Sequence, residues 1–306
     1  MGRSAPITGV QVFAPAKINL TLHITGQRDD GYHLLDSLVV FADVGDELLV
    51  QVGSTISVTT EGPEAALVPA DMSNLVLRVA ALFKDLPGAS FLLTKNLPVA
   101  SGIGGGSADA AAAFRGMMCH HSGGETDPMM YDPAKTPMSR SLLDLGADIP
   151  VCLQSRPARM AGIGDVLSPV PDMEVLHAVL VNPRVGVPTP SVFRALKSKT
   201  NPAMPEIPQF HGRNHLIDWL GAQRNDLEPP AIELQPEIKR VKRALEAFPT
   251  CLLARMSGSG ATCFGVFESH DAAQNAQRGL SKQYPDWWVQ AACLGDQSHR
   301  ARLRPY

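Results

Sequence analysis

The sequence predicts an α+β protein built in two halves, on three observations. Residues 17–24 alternate strictly, with Ile18, Leu20, Leu22 and Ile24 on one face and Lys17, Asn19, Thr21 and His23 on the other, which is the period of a strand. Residues 91–94 read as a short strand that passes through a glycine-rich loop into the alanines at 110–113, a strong helix start. Beyond about residue 165 the rhythm changes, and strands and helices follow in the order of a split βαβ sandwich.

The elements follow in order. After the first strand, Asp29-Asp30-Gly31 signals a turn, and 34–44 and 47–52 read as further strands. Residues 72–86 read as a helix with Leu75, Val79 and Leu82 on one side. The glycine loop and its helix run to about 118, and 119–138, with three X-Pro steps, read as an exposed loop. Residues 139–145 form a short helix stopped by Gly146, and the glycine- and proline-bearing stretch 156–170 reads as a hinge. In the second half, 175–181 is a strand, 189–196 a helix and 202–208 a proline-rich loop. Ile238, Val241, Leu245 and Phe248 mark an amphipathic helix entered through Pro236. Strands at 251–256 and 262–267 flank Ser257-Gly258-Ser259-Gly260, and a helix at 271–283 precedes a last strand at 287–293. The expected division is therefore 1–165 and 166–306.

Composition narrows the function classes. The 306 residues are 44% hydrophobic, enough for a sizeable core. With 27 basic against 30 acidic residues and 6% aromatics, neither a nucleic-acid groove nor a stacking platform is indicated. The five cysteines form no Cys-x-x-Cys pair, so reduced thiols are expected rather than a disulfide framework or a structural zinc site. His120-His121 reads as a helix end. His211 and His215 read as surface histidines, because Gly212 weakens the helix they would need. No leader or membrane-spanning run is visible, and a cytoplasmic protein is expected.

The glycine loop is the strongest local signal. A strand, a loop free to turn its N–H groups toward one point and a helix N-terminus make an anion site, with a nucleotide phosphate as the natural occupant. It lacks the Gly-Lys-Ser/Thr ending of a Walker A loop, opens no dinucleotide-type βαβ unit and is followed by a helix rather than a kinase hairpin. Taken alone, it reads equally as a tight turn before a small-residue helix packed closely on a sheet.

Three segments then line up: Pro15-Ala16-Lys17-Ile18-Asn19-Leu20 with Asp30-Gly31-Tyr32-His33; Gly102-Ile103-Gly104-Gly105-Gly106-Ser107-Ala108-Asp109; and Ser257-Gly258-Ser259-Gly260-Ala261-Thr262. In this order the chain resembles the GHMP small-molecule kinases over roughly residues 12–295. Asp-Gly-Tyr-His, Leu145-Gly146-Ala147-Asp148-Ile149-Pro150 and Asn225-Asp226-Leu227-Glu228 resemble the branch that acts on a cytidine-diphosphate-linked methylerythritol. The resemblance implies a two-domain fold with a ribosomal-protein-S5-like N-terminal domain, a ferredoxin-like C-terminal domain and a cleft between them. It implies transfer of the γ-phosphoryl group of ATP, with Mg²⁺, to the tertiary 2-hydroxyl of that small molecule in non-mevalonate isoprenoid synthesis. Mevalonate- or homoserine-type kinases, or a non-catalytic nucleotide binder, are the rival readings.

The resemblance also assigns residues. Asp148 matches the general base and Lys17 its cationic partner, which would stabilise the carboxylate and the charge developing on hydroxyl and phosphate. Read without the resemblance, Asp148 is a helix N-cap and Lys17 a solvent-face lysine. Gly102, Ile103, Gly104, Gly105, Gly106 and Ser107 match the phosphate loop. Asn19 and Thr189 match contacts to the substrate. Tyr32 and Phe193 match stacking aromatics and His33 the reader of the cytosine edge. Ser107 is a candidate metal contact, and no ligand set is assigned. Ala108 departs from a frequent second serine, and the 119–138 loop differs from the usual helical segment.

Overall fold

The computed structural model describes residues 9–122 and 138–306. The first half runs β1 (Gly9–Asn19), β2 (His23–Gln27), β3 (His33–Val52), β4 (Ser57–Glu61), α1 (Leu75–Ala80), β5 (Ala89–Thr94), α2 (Gly105–His121), α3 (Ser139–Leu145), α4 (Ile149–Gln154), β6 (Ala158–Gly162) and β7 (Val166–Pro169). The second runs β8 (Leu176–Asn182), α5 (Thr189–Arg194), α6 (Arg213–Gly221), α7 (Glu228–Leu234), α8 (Glu237–Glu246), β9 (Cys251–Met256), β10 (Cys263–Phe267), α9 (His270–Gln283), β11 (Trp288–Gly295) and β12 (Arg304–Pro305).

β3 is the hub. It pairs with β1, β2, β5 and β6, and at Phe41 and Ala42 it also meets β11, so the sheet continues from one half into the other. The sequence reads two strands here, but the chain crosses 45–46 without breaking. A side chain at Gly45 would lie 2.3 Å from the Ala14 carbonyl, so only glycine lets β3 pass β1 at the bulge between Pro15 and Lys17. The second half has the order β11-β8-β10-β9, antiparallel throughout, with α8 and α9 packed on it. That is the ferredoxin-like order.

Against β1 and β3 of the first half lies α2. Ala108 and Ala110–Ala113 are all buried, and a Cβ at Gly116 would reach within 2.6 Å of Val50 Cγ2. Small residues therefore serve close helix–sheet packing, while the first turn of the helix is left to the loop. Arg115, fully buried, ties α2 to its neighbours by donating to the carbonyls of Phe13, Cys152 and Leu153.

Three expectations need correction. The polar face of residues 17–23 is not solvated: Lys17, Asn19, Thr21 and His23 are all buried, the first two at the cleft and the last two beneath Met204 and Arg224. The stretch expected to be a hinge is the β6–β7 hairpin, and the 165/166 division falls at its turn. The helix expected over 72–86 spans only Leu75–Ala80; Asn74 caps it through its side chain, and turns follow. Most of the 119–138 loop lies outside the described residues, and α2 runs on to His121.

Candidate active site

β1 carries Lys17 and Asn19 into the cleft. Lys17 Nζ donates to Asp148 Oδ2 at 2.8 Å, with the lysine 4% and the aspartate 29% exposed. Asp148 stands at the N-cap position of α4, yet its side chain makes no capping bond. The local sequence reading of a cap thus gives way to the ion pair with a residue 131 positions away. The Lys17 N–H donates to the Ile103 carbonyl at 2.9 Å, which stitches β1 to the glycine loop.

The loop holds Gly102 at φ +78° and Gly104 at φ +64°, conformations that disfavour any side chain. A Cβ at Gly102 would lie 2.6 Å from the Ser257 carbonyl oxygen and 2.7 Å from that of Gly260, so loop and third-motif turn meet backbone to backbone. A Cβ at Gly104 would lie 3.2 Å from Lys17 Cβ and 3.7 Å from Asp148 Oδ2. Gly104 is also the N-cap of α2, a 17-residue helix whose first turn is Gly105-Gly106-Ser107. Ile103 differs from its neighbours: its side chain is fully buried in the apolar cluster beneath.

Two cavities meet here. One, of about 480 Å³, is lined by the loop and by residues 68–75 ahead of α1. The other, of about 680 Å³, is lined by Asn19, Tyr32, His33 and Phe193. Lys17, Ser107, Asp148, Thr189, Gly258 and Ser259 border both. Thr189 and Ser259 hold their hydroxyls 2.7 Å apart, and Ser257 Oγ accepts from the Asn19 N–H and donates to the Gly102 carbonyl.

In the larger cavity His33 stacks on Phe193, ring centroids 4.8 Å apart, whereas Tyr32 stands 62% exposed at the rim. Of the two residues expected to stack on a base, Phe193 is itself stacked by His33, and both aromatics line the one cavity. Burial, then the nearby Lys199, pushes the His33 pKa below its ordinary value. His33 Nε2 and Asn19 Oδ1 are buried without a hydrogen-bond partner, an arrangement that costs free energy unless a ligand supplies one.

Behind the loop stands a cluster that no sequence motif marks. Lys95 Nζ bridges Asp46 Oδ2 at 2.5 Å and Asp109 Oδ2 at 2.7 Å, all three buried. Burial opposes the Lys95 charge, but Asp109 and Asp46 outweigh it and raise its pKa. Burial drives the Asp109 carboxyl well above the usual range, against the pull of Lys95. Asp46 Oδ1 accepts from the N–H groups of Asn96 and Leu97 and fixes the strand that enters the loop. Asp109 lies one turn past Gly105 on the face turned to Lys95, a placement that only the fold reveals. Asn225 Nδ2 likewise donates to the carbonyls of Met256 and Gly258, bracing the third-motif turn.

Family models agree with this arrangement: "GHMP kinases N terminal domain" matches residues 74–166 and "GHMP kinases C terminal" matches 207–286. A 4-diphosphocytidyl-2-C-methyl-D-erythritol kinase of Roseobacter denitrificans is 56% identical over 95% of this chain and 96% of its own. The chain belongs to the GHMP kinase family. A solved 4-(cytidine 5'-diphospho)-2C-methyl-D-erythritol kinase superposes on this GHMP kinase with TM-score 0.73 and 31% identity, over 93% of this chain and 99% of that one. A Cytophaga hutchinsonii homoserine kinase, at 18% identity and TM-score 0.67 over 97% and 98%, shares the fold. No helix among the described residues is long and apolar enough to cross a membrane.

Proposed function

We propose that this GHMP kinase transfers the γ-phosphoryl group of ATP to the 2-hydroxyl of 4-diphosphocytidyl-2-C-methyl-D-erythritol, in isoprenoid precursor synthesis. The observation that carries the reading is the Lys17–Asp148 pair bordering both cavities. ATP in the smaller cavity and the cytidine-linked polyol in the larger would bring phosphoryl group and hydroxyl together at that pair. Asp148 accepts the hydroxyl proton as the oxygen–phosphorus bond forms and the bond to the ADP leaving oxygen breaks. Lys17 stabilises the charge on the attacking oxygen and the moving phosphoryl group. The loop from Gly102 to Ser107 and the first turn of α2 hold the phosphates.

Mg²⁺ fits the oxygen donors on this wall: Ser107, and Asp109, whose Oδ1 has no partner. Bound there, it would neutralise phosphate charge. In the larger cavity Tyr32 offers a face at the rim, His33 Nε2 an edge for the base, and Asn19 Oδ1 an acceptor for the polyol. The enzyme is read as cytoplasmic, acting on small molecules.

A coupled ADP-release assay tests this. With ATP, the cytidine-diphosphate substrate is expected to turn over and mevalonate and homoserine to give background rates. Equal or faster turnover of either alternative would overturn the assignment.

A further inference from the structure

At the far end of the ferredoxin-like sheet, three side chains from three elements converge. His177 comes from β8, His270 opens α9, and Cys293 lies on β11 directly opposite His177 in the ladder. One ring nitrogen from each histidine and the cysteine Sγ all lie within 4.8 Å of one another. We propose that His177, His270 and Cys293 form a binding site for a thiophilic divalent transition metal of the Zn²⁺ type, separate from the catalytic cleft.

The donor chemistry selects the ion. Two imidazoles and a thiolate suit Zn²⁺ and disfavour Mg²⁺, which takes oxygen ligands. Cys293 Sγ is 3.7 Å from His177 Nδ1, close to the spacing of two ligands on one tetrahedral ion, and His270 sets its ring edge-on to His177. A fourth position falls to water or to Asp43, whose Oδ1 already accepts from the Cys293 N–H at 2.7 Å. Ligation by Cys293 releases its thiol proton.

No spacing motif announces the site, because its residues are 93 and 23 positions apart and only the fold joins them. It is also remote from the cleft. Asn182, at the other end of β8, holds Thr262 beside the third-motif turn, and it stands five residue steps along the strand from His177, on the order of 16 Å. An ion here would clip the start of α9 to two strands of the sheet.

The test titrates the metal-free full-length protein with Zn²⁺ alone by calorimetry, and with Co²⁺ by absorption. One ion per chain is expected, with a thiolate-to-cobalt charge-transfer band that millimolar Mg²⁺ does not displace. Cys293→Ser should abolish the band, and His270→Ala, at an exposed helix start, should weaken Zn²⁺ about tenfold or more. Both variants should keep basal turnover, and Cys251→Ser should bind as the parent does. Absence of stoichiometric binding, a band that survives Cys293→Ser, displacement by Mg²⁺, or loss of the site in His215→Ala instead would each overturn the proposal.

Discussion

The cavity beside the glycine loop has the loop's backbone as one wall, whereas the cavity beside His33 is edged by the side chains of Asn19, His33 and Phe193. In the first, Gly102 and Gly104 hold positive φ, the loop packs on the Ser257–Gly260 backbone, and a buried Lys95–Asp46–Asp109 cluster fixes what lies behind. In the second, Asn19, His33 and Phe193 come from β1, β3 and α5, Tyr32 stands half in solvent, and two polar atoms wait without partners. A backbone wall suits phosphates, which every nucleotide shares. A side-chain wall suits a base and a polyol, where relatives of one fold must differ. Lys17 and Asp148 stand at the seam and belong to both.

The largest expected effect comes from breaking the seam. Asp148→Asn keeps the shape but removes the proton acceptor, and turnover should fall by ~10²–10⁴-fold. On the proposed reading the loop, not Asp148, holds the phosphates, so calorimetric ATP affinity should change little. Near-native turnover in the folded variant would move the base elsewhere.

Breaking only the backbone wall should give a smaller and one-sided effect. Gly104→Val places a branched side chain at φ +64°, with its Cβ 3.2 Å from that of Lys17. The strain alone is about 1–3 kcal/mol, and ATP should weaken by about tenfold or more. Binding of the cytidine-linked ligand alone should weaken less. Equal losses for both ligands would mean that the two walls are not separate.

The same contrast explains what was legible in the sequence. A wall of backbone needs glycine at fixed positions, so the glycines at 102–106 stand out in the sequence alone as a loop before a helix, open there to an anion site or a tight turn. The amphipathic helix α8 and the strands β8 to β11 were legible for a similar reason, since each repeats a local period. Lys17 was not. By alternation it falls on a polar face, and alternation cannot tell a face turned to water from one turned into a cleft between halves. Asp148 reads locally as a cap, and only the partner 131 residues away makes it otherwise. The β6–β7 hairpin reads as a hinge because its glycines suggest freedom, while its pairing with β3 is set by distant residues. Lys95, Asp46 and Asp109 escaped for the same reason, each an ordinary surface-type charge until the fold buries all three together.

The smallest expected effect sharpens the side-chain wall. His33 Nε2 is buried and unpartnered, so a base edge that satisfies it gains what a mismatched edge does not, about 1–3 kcal/mol. His33→Ala should narrow the kcat/KM preference for the cytidine substrate over its uridine analogue by that amount, and Tyr32→Ala, exposed at the rim, should raise KM with less change in preference. The pH dependence has a definite sign. Burial, and after it Lys199, depresses the His33 pKa below 6.5. The ring is therefore neutral at and above 6.5, where the preference should be flat, and it charges only as pH falls through the depressed value, where the preference should change. The stability linked to the neutral ring follows the same window, complete above 6.5 and lost as pH falls through the folded value. Lys199→Ala removes the second cause and leaves the larger one, so the break should move up in pH yet remain below 6.5. A preference that titrates identically with and without Lys199, or that survives His33→Ala intact, would place base recognition on groups other than this imidazole.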